Sequence, residues 1–278
     1  MIEFDSALYE YQIANYTVGL CKVSRVGEEE RAEPVGTATL IQFGSVYGLL
    51  TAAHVLAHLP DQGNVPVVRF PFRDNQLQKQ VIDMSLAEKV ILRGETFGPE
   101  GPDLGFLRLP PASVSSLKAT NSFVNVEKVR DEVLDGPEEK VDFEDVIFGV
   151  VEEWTESVPV LQPNARTVEL KLLAGFGEIV STSKRNGFDF YTFEASYDDD
   201  FKKPESYGGV SGGGLWRIFV EREKGGDLIV LGRKLIGVAF YQLRDESGAH
   251  TIVCHGPIGI YSSFVDELLA KWPDSARE

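Results

Sequence analysis

The chain has 278 residues, 43% of them hydrophobic, and its 43 acidic against 27 basic side chains give a formal charge of −16. That length suits one large domain or two small ones sharing an interface, and the acidity excludes a nucleic-acid or anionic-membrane surface, since both need clustered Lys and Arg. No run of 18 apolar residues occurs, which excludes a membrane-spanning helix.

Short apolar runs punctuated by Gly, Pro and Asn predict strands over 17–23, 36–44, 46–52, 67–72, 89–94 and 104–109. An acidic stretch, 127–145, follows; Val129, Val133 and Leu134 would share a helical face, but its polarity predicts a solvated connector. A second series is expected over 146–154, 167–179, 188–195, 213–221, 228–243 and 251–261. About six strands on each side of a hydrophilic connector predict an all-β protein built as a pair of barrels or sandwiches. The boundaries are 10–126, 127–145 and 146–262, closed by a helix over 263–272. In that helix Ser263 and Asp266 have capping-box spacing, Val265, Leu268, Leu269 and Trp272 form one stripe, and Pro273 ends it.

The N-terminus "MIEFDSALYEYQIANYTVGL" has no basic region and its apolar residues are interrupted by Glu and Asp, so it does not read as a secretory signal. Cys21 and Cys254 lie far apart, outside any metal-ligand spacing. They are expected as reduced thiols, and the expected location is cytoplasmic.

Three local signals carry chemistry. His54 follows a strand-like run in "GLLTAAHVLAHL"; Asp103 begins the apolar strand of "GPDLGFLRL"; Ser211 sits among five glycines in "YGGVSGGGLW". A serine hydroxyl needs a neighbouring base to accept its proton. A neutral imidazole suits that task when a carboxylate on its other nitrogen sets the tautomer and stabilises the imidazolium. Glycines around Ser211 permit a tight turn that can aim the N–H groups of Gly209 and Ser211 at a developing oxyanion. Singly, each signal has an ordinary reading: a core or surface histidine, a turn aspartate, a flexible or phosphate-binding loop. The loop lacks the lysine of a P-loop and leads into no helical pattern. His58, four residues after His54, gives "HVLAH" without the glutamate of a zinc-protease helix, so no metal is expected. His250 and His255 read as surface or strand residues.

The motifs "GTATLI", "LLTAAHV", "DLGFLRL", "GGVSGGGLW", "LIGVAFYQ" and "IGIYSSFVDELL", spanning about 17–272, resemble the trypsin-like (chymotrypsin-fold) serine peptidases, closer to the bacterial branch without disulfides, HtrA-type proteases included. The resemblance implies two six-stranded antiparallel barrels with an active site in the cleft between them. It further implies His54 as general base and acid, Asp103 as its orienting partner, Ser211 as nucleophile, and the Gly209 and Ser211 N–H groups as oxyanion hole. Phe240, Tyr241 and Gln242 would lie on the strand that pairs with substrate, Gly259 would form another pocket wall, and Glu205 would match a position often at the pocket base. A glutamate there would favour Lys or Arg side chains; the alternative is a solvated loop residue beside Lys202 and Lys203. Val210 stands where secreted zymogens carry an aspartate, so activation by N-terminal cleavage is not expected. The implied partner is a protein or peptide substrate, with no cofactor, and a regulatory protein is a further candidate. A catalytically silent peptide-binding module is the alternative function.

Overall fold

The computed structural model describes residues 12–70, 78–94, 98–136, 141–159, 165–197, 203–222, 228–244 and 250–273. Positions 10, 11, 71, 72 and 137–140 of the expected elements, and Lys202, lie outside the described residues. The first half comprises β1 (Thr17–Val26), β2 (Glu29–Phe43), β3 (Val46–Thr51), a short helix α1 (Ala53–Ala57), β4 (Asn64–Arg69), β5 (Gln78–Asp83), β6 (Glu88–Arg93), β7 (Asp103–Arg108), α2 (Pro111–Lys118), β8 (Val124–Asn125) and α3 (Val126–Leu134). Its strands pair antiparallel in the order β5-β4-β1-β2-β3-β7-β6.

The second half comprises β9 (Asp142–Val150), β10 (Glu156–Pro159), β11 (Ala165–Glu169), β12 (Leu172–Arg185), β13 (Phe188–Ala195), β14 (Gly214–Arg222), β15 (Leu228–Arg244) and β16 (His250–His255). Six of these close into an antiparallel barrel in the order β12-β13-β16-β15-β14-β9. This agrees with the double-barrel plan expected from the sequence, with one difference. The first sheet forms an open half-barrel of ten strands, because β8 and the β10–β11 hairpin add to it through parallel pairing with β2.

Three expected elements differ for physical reasons. The apolar run 167–179 is two strands, β11 and β12, serving different sheets. The connector is helical over α3, where the Asn125 side chain accepts from Lys128 N at 2.9 Å and Val126 and Val133 are buried; its apolar face outweighs its acidity. The last strand stops at His255, and Ile258–Phe264 form a π-helical turn leading into α4 (Val265–Lys271). Ser263 therefore lies inside helical structure, and its hydroxyl donates to the Gly187 carbonyl at 2.8 Å instead of capping.

Alternation along each strand sorts the side chains into three cores. Val18, Leu20, Leu40, Leu49 and Leu107 fill the first barrel around Val55 and Leu56 of α1. Ile147, Leu173, Phe193, Leu215 and Ile236 fill the second. Between them lies a joint core in which Phe43 and Phe106 meet Phe148, Trp216, Tyr261 and Leu268. Trp272, at the end of the α4 stripe, packs its ring 6.1 Å from Phe43 and 6.0 Å from Phe106. Truncating a ring such as Phe106 to alanine would cost about 3–5 kcal/mol, so the joint core is well able to hold the two halves in one register.

Candidate active site

β3 is buried along most of its length and runs into α1, so the chain turns from strand to helix where His54 stands. β7 pairs with β3, Thr51 opposite Gly105, and this register sets Asp103 beside the start of α1. The Asp103 carboxylate then accepts twice from one residue: Oδ1 from the His54 backbone N–H at 2.8 Å and Oδ2 from His54 Nδ1 at 2.6 Å. The first bond fixes the carboxylate against the helix backbone; the second fixes the ring. With Nδ1 donating, Nε2 is the imidazole nitrogen that carries a lone pair. The aspartate side chain is 4% exposed and the histidine 18%, so the carboxylate is shielded while the ring reaches the surface. His58 turns its Nδ1–H back onto the His54 carbonyl at 2.7 Å. Among the described residues no group of three or more His, Cys, Asp or Glu could hold a metal.

Ser211 lies in the loop before β14, and that loop is pinned to β2 by one residue, Thr37. The Thr37 N–H donates to the Ser211 carbonyl at 2.8 Å and its hydroxyl donates to the Gly209 carbonyl at 2.7 Å. The same hydroxyl accepts from Val150 N–H at 2.8 Å, and the Thr37 carbonyl accepts from the Thr51 hydroxyl at 2.6 Å. The neighbouring Gly36 measures how close the two halves come: a Cβ there would stand 2.7 Å from Val55 Cγ2 on α1 and 3.0 Å from the Ser211 carbonyl oxygen. Helix α1 and the Ser211 loop thus converge on the space that a side chain at this glycine would fill.

Gly209 and Gly212 have φ of +89° and +87°, in the left-handed region that favours glycine. At Gly212 a Cβ would also fall 1.9 Å from the Thr37 carbonyl oxygen. The loop is further held by Gly212 N–H to the Ala239 carbonyl at 2.7 Å and by Ala239 N–H to the Gly213 carbonyl at 2.9 Å. The Gly208 carbonyl accepts from Glu152 N–H at 2.8 Å, and the Val210 carbonyl from Gly213 N–H at 2.7 Å. In a trans peptide the N–H points opposite the carbonyl, so these bonds turn the Gly209 and Ser211 N–H groups away from the loop's own acceptors. Neither has an acceptor among the described residues.

Beside Ser211 opens a cavity of about 280 Å³ lined by Tyr207, Val210, Ala239, Tyr241, Gln242 and Ile252, together with Gly208 and Phe240. No lining residue is charged. The Gln242 side chain spans two walls: its Oε1 accepts from Tyr207 N–H at 2.7 Å, and its Nε2 meets His250 Nδ1 on β16. Phe240 contributes little side-chain surface to the cavity, because its ring is 1% exposed and stacks 4.4 Å from His255. Glu205 is exposed and outside the lining; its N–H donates to Glu153 Oε1 at 2.9 Å. Gly259 is also outside it, buried in the π-helical turn with its N–H on Asp189 Oδ1 at 2.7 Å. Tyr207 and Ile252 stand on the walls instead.

Two contributors were not singled out from the sequence. Thr37 lies in the quoted "GTATLI", but nothing local marks its side chain as a bridge between barrels. His255, read as a surface or strand residue, ends β16 fully buried. No family model matches the chain, and no curated protein matches it. Similar solved structures include the Rv3671c protease from M. tuberculosis in its active form, 16% identical over 95% of this chain and 83% of that one, with a TM-score of 0.43. Another is an alanine variant of the HtrA-type protease AlgW with a decapeptide, 15% identical over 97% of this chain and 67% of that one, with a TM-score of 0.47.

Proposed function

We propose that the chain is a serine endopeptidase acting through Ser211, His54 and Asp103. The observation that carries this reading is the doubly hydrogen-bonded His54–Asp103 pair, held on the strand system whose Gly36 and Thr37 also grip the Ser211 loop. His54 Nε2 takes the Ser211 hydroxyl proton as Oγ bonds to the scissile carbonyl carbon, and Asp103 stabilises the imidazolium. The Gly209 and Ser211 N–H groups stabilise the resulting oxyanion. The imidazolium then protonates the leaving amine, leaving an acyl-enzyme that a water, deprotonated by His54, hydrolyses.

Substrate binding is supported by strand pairing. β14 accompanies β15 only as far as Val238, whereas β16 pairs with β15 on to Arg244. Residues 240–244 therefore have β16 as their partner strand among the described residues, and their other side can take an extended peptide. The uncharged cavity, with Val210, Ala239 and Ile252 in its lining, supports an apolar side chain before the cleaved bond rather than a basic one. Cleavage-site profiling of a peptide library with wild type and Ser211→Ala tests the reading. Serine-dependent cuts after apolar residues are the expected result; cuts that persist in the variant would overturn the mechanism, and cuts confined to Lys and Arg would overturn the pocket assignment.

A further inference from the structure

The histidine at the end of β16 has no part in the reaction as written, yet its ring lies directly behind the catalytic pair. His255 Nε2 accepts the backbone N–H of Asp103 at 3.0 Å. That bond crosses from the second barrel to the first, onto the residue whose carboxylate makes both bonds to His54. The ring is 0% exposed and packed by aromatic neighbours: Phe240 at 4.4 Å, Phe190 at 5.1 Å and Phe188 at 6.0 Å between centroids.

Because Nε2 is the acceptor, Nδ1 carries the proton in the neutral ring. Nδ1 is buried without a hydrogen-bond partner among the described residues. An unpaired buried N–H is a cost that a phenylalanine would avoid, and native proteins carry few such groups. Of the two ring nitrogens only Nε2 makes a hydrogen bond, and that bond holds Asp103. Phe240, whose ring stacks on His255, sits on the strand segment assigned above to substrate.

The geometry points to His255 as a positioning residue: a clamp from the second barrel that fixes Asp103, and through it His54, relative to Ser211 and the substrate-binding strand. This rests on the peptidase reading for its effect on turnover but not for the bond itself. Losing the clamp displaces the carboxylate while leaving the pocket in place, so kcat falls and KM does not. Misplacement of about an ångström can cost about 10²-fold, and a loss of about 10- to 100-fold is expected for His255→Phe. His255→Gln offers an acceptor near the Nε2 position and should recover much of that loss.

The experiment measures kcat and KM on a quenched fluorogenic peptide with Val before the cleaved bond, for wild type, His255→Phe and His255→Gln, each also in an Asp103→Ala background. The expected result is a kcat-only loss, rescued by Gln and largely absent in the Asp103→Ala background, where there is no carboxylate left to position. Equal losses in both backgrounds, or a His255→Phe kcat within twofold of wild type, would overturn the inference. Two readouts in the folded protein stand apart from turnover. Long-range ¹⁵N–¹H spectra of wild type should show His255 as the Nδ1–H tautomer; an Nε2–H tautomer would sink the clamp without any variant. The low-field Nδ1–H proton of His54 should be sharp in wild type and His255→Gln and lost to exchange in His255→Phe; its persistence there would do the same. A wild type inactive on all peptides, with these spectra as expected, would count against the peptidase reading and leave the clamp standing.

Discussion

Thr37→Val removes one hydroxyl and nearly preserves side-chain shape. The lost oxygen donates to the Gly209 carbonyl at 2.7 Å and accepts from Val150 N–H at 2.8 Å. Val150 is fully buried, so its N–H would be stranded at about 1–3 kcal/mol. The Gly209 carbonyl is less buried and recovers part of its loss from water. The sum is about 2–4 kcal/mol, which urea unfolding reads as a lower midpoint at unchanged slope. The valine also frees the peptide that follows Gly209, so the Gly209 and Ser211 N–H groups, proposed above as oxyanion donors, lose their pre-set direction. A single oxyanion donor is worth about 10²–10³-fold in rate, and a partial loss of about 10-fold in kcat is expected. Thr37→Ser, which keeps the hydroxyl, should recover most of both effects. A valine variant within 0.5 kcal/mol of wild type, a margin typical of inert surface changes, would refute the claim that Thr37 ties the two halves together.

Asp103→Asn should leave the chain folded and reduce kcat by about 10⁴-fold, the loss an aspartate-to-asparagine change causes in such a triad by favouring the wrong imidazole tautomer; a loss under tenfold would mean the carboxylate does not orient His54. Burial pushes the His255 imidazole down from its ordinary 6.5 to about 3, against the opposing pull of Asp103. Between those two values the unfolded chain holds a proton there that the folded chain does not. Stability therefore falls as pH drops from about 6.5 towards 3, by about 1.4 kcal/mol per pH unit. Urea unfolding of His255→Gln between pH 6 and pH 4.5 should show a dependence flatter by about that amount; equal slopes would contradict a neutral buried ring.

The parts of the fold that were legible in the sequence are those with a local signature. Strand alternation marked β13 over 188–195 and β15 to within a residue, and the Val265–Leu268–Leu269–Trp272 stripe marked the last helix. Strands that merge into one apolar run were not separable: nothing in "TVELKLLAGFGEI" says that its first residues join one sheet and its last another. His54, Asp103 and Ser211, on which the proposed function rests, could be singled out because each sits in a distinctive motif, and the structure brings His54 and Asp103 into contact. Glu205 and Gly259 were placed by resemblance alone, and side-chain direction in a loop or turn depends on tertiary packing that spacing does not encode. Thr37 and His255 escaped for the same reason. Each acts by a bond across more than 100 residues of chain, and such a bond leaves no trace in either neighbourhood.

Activation of Ser211 as a nucleophile is tested most directly by intact-mass and peptide-level analysis after exposure to a fluorophosphonate. One adduct is expected, on Ser211, formed by the folded wild type, strongly slowed in Asp103→Asn and absent in Ser211→Ala. A folded wild type that stays unmodified, or carries the adduct on another residue, would contradict it.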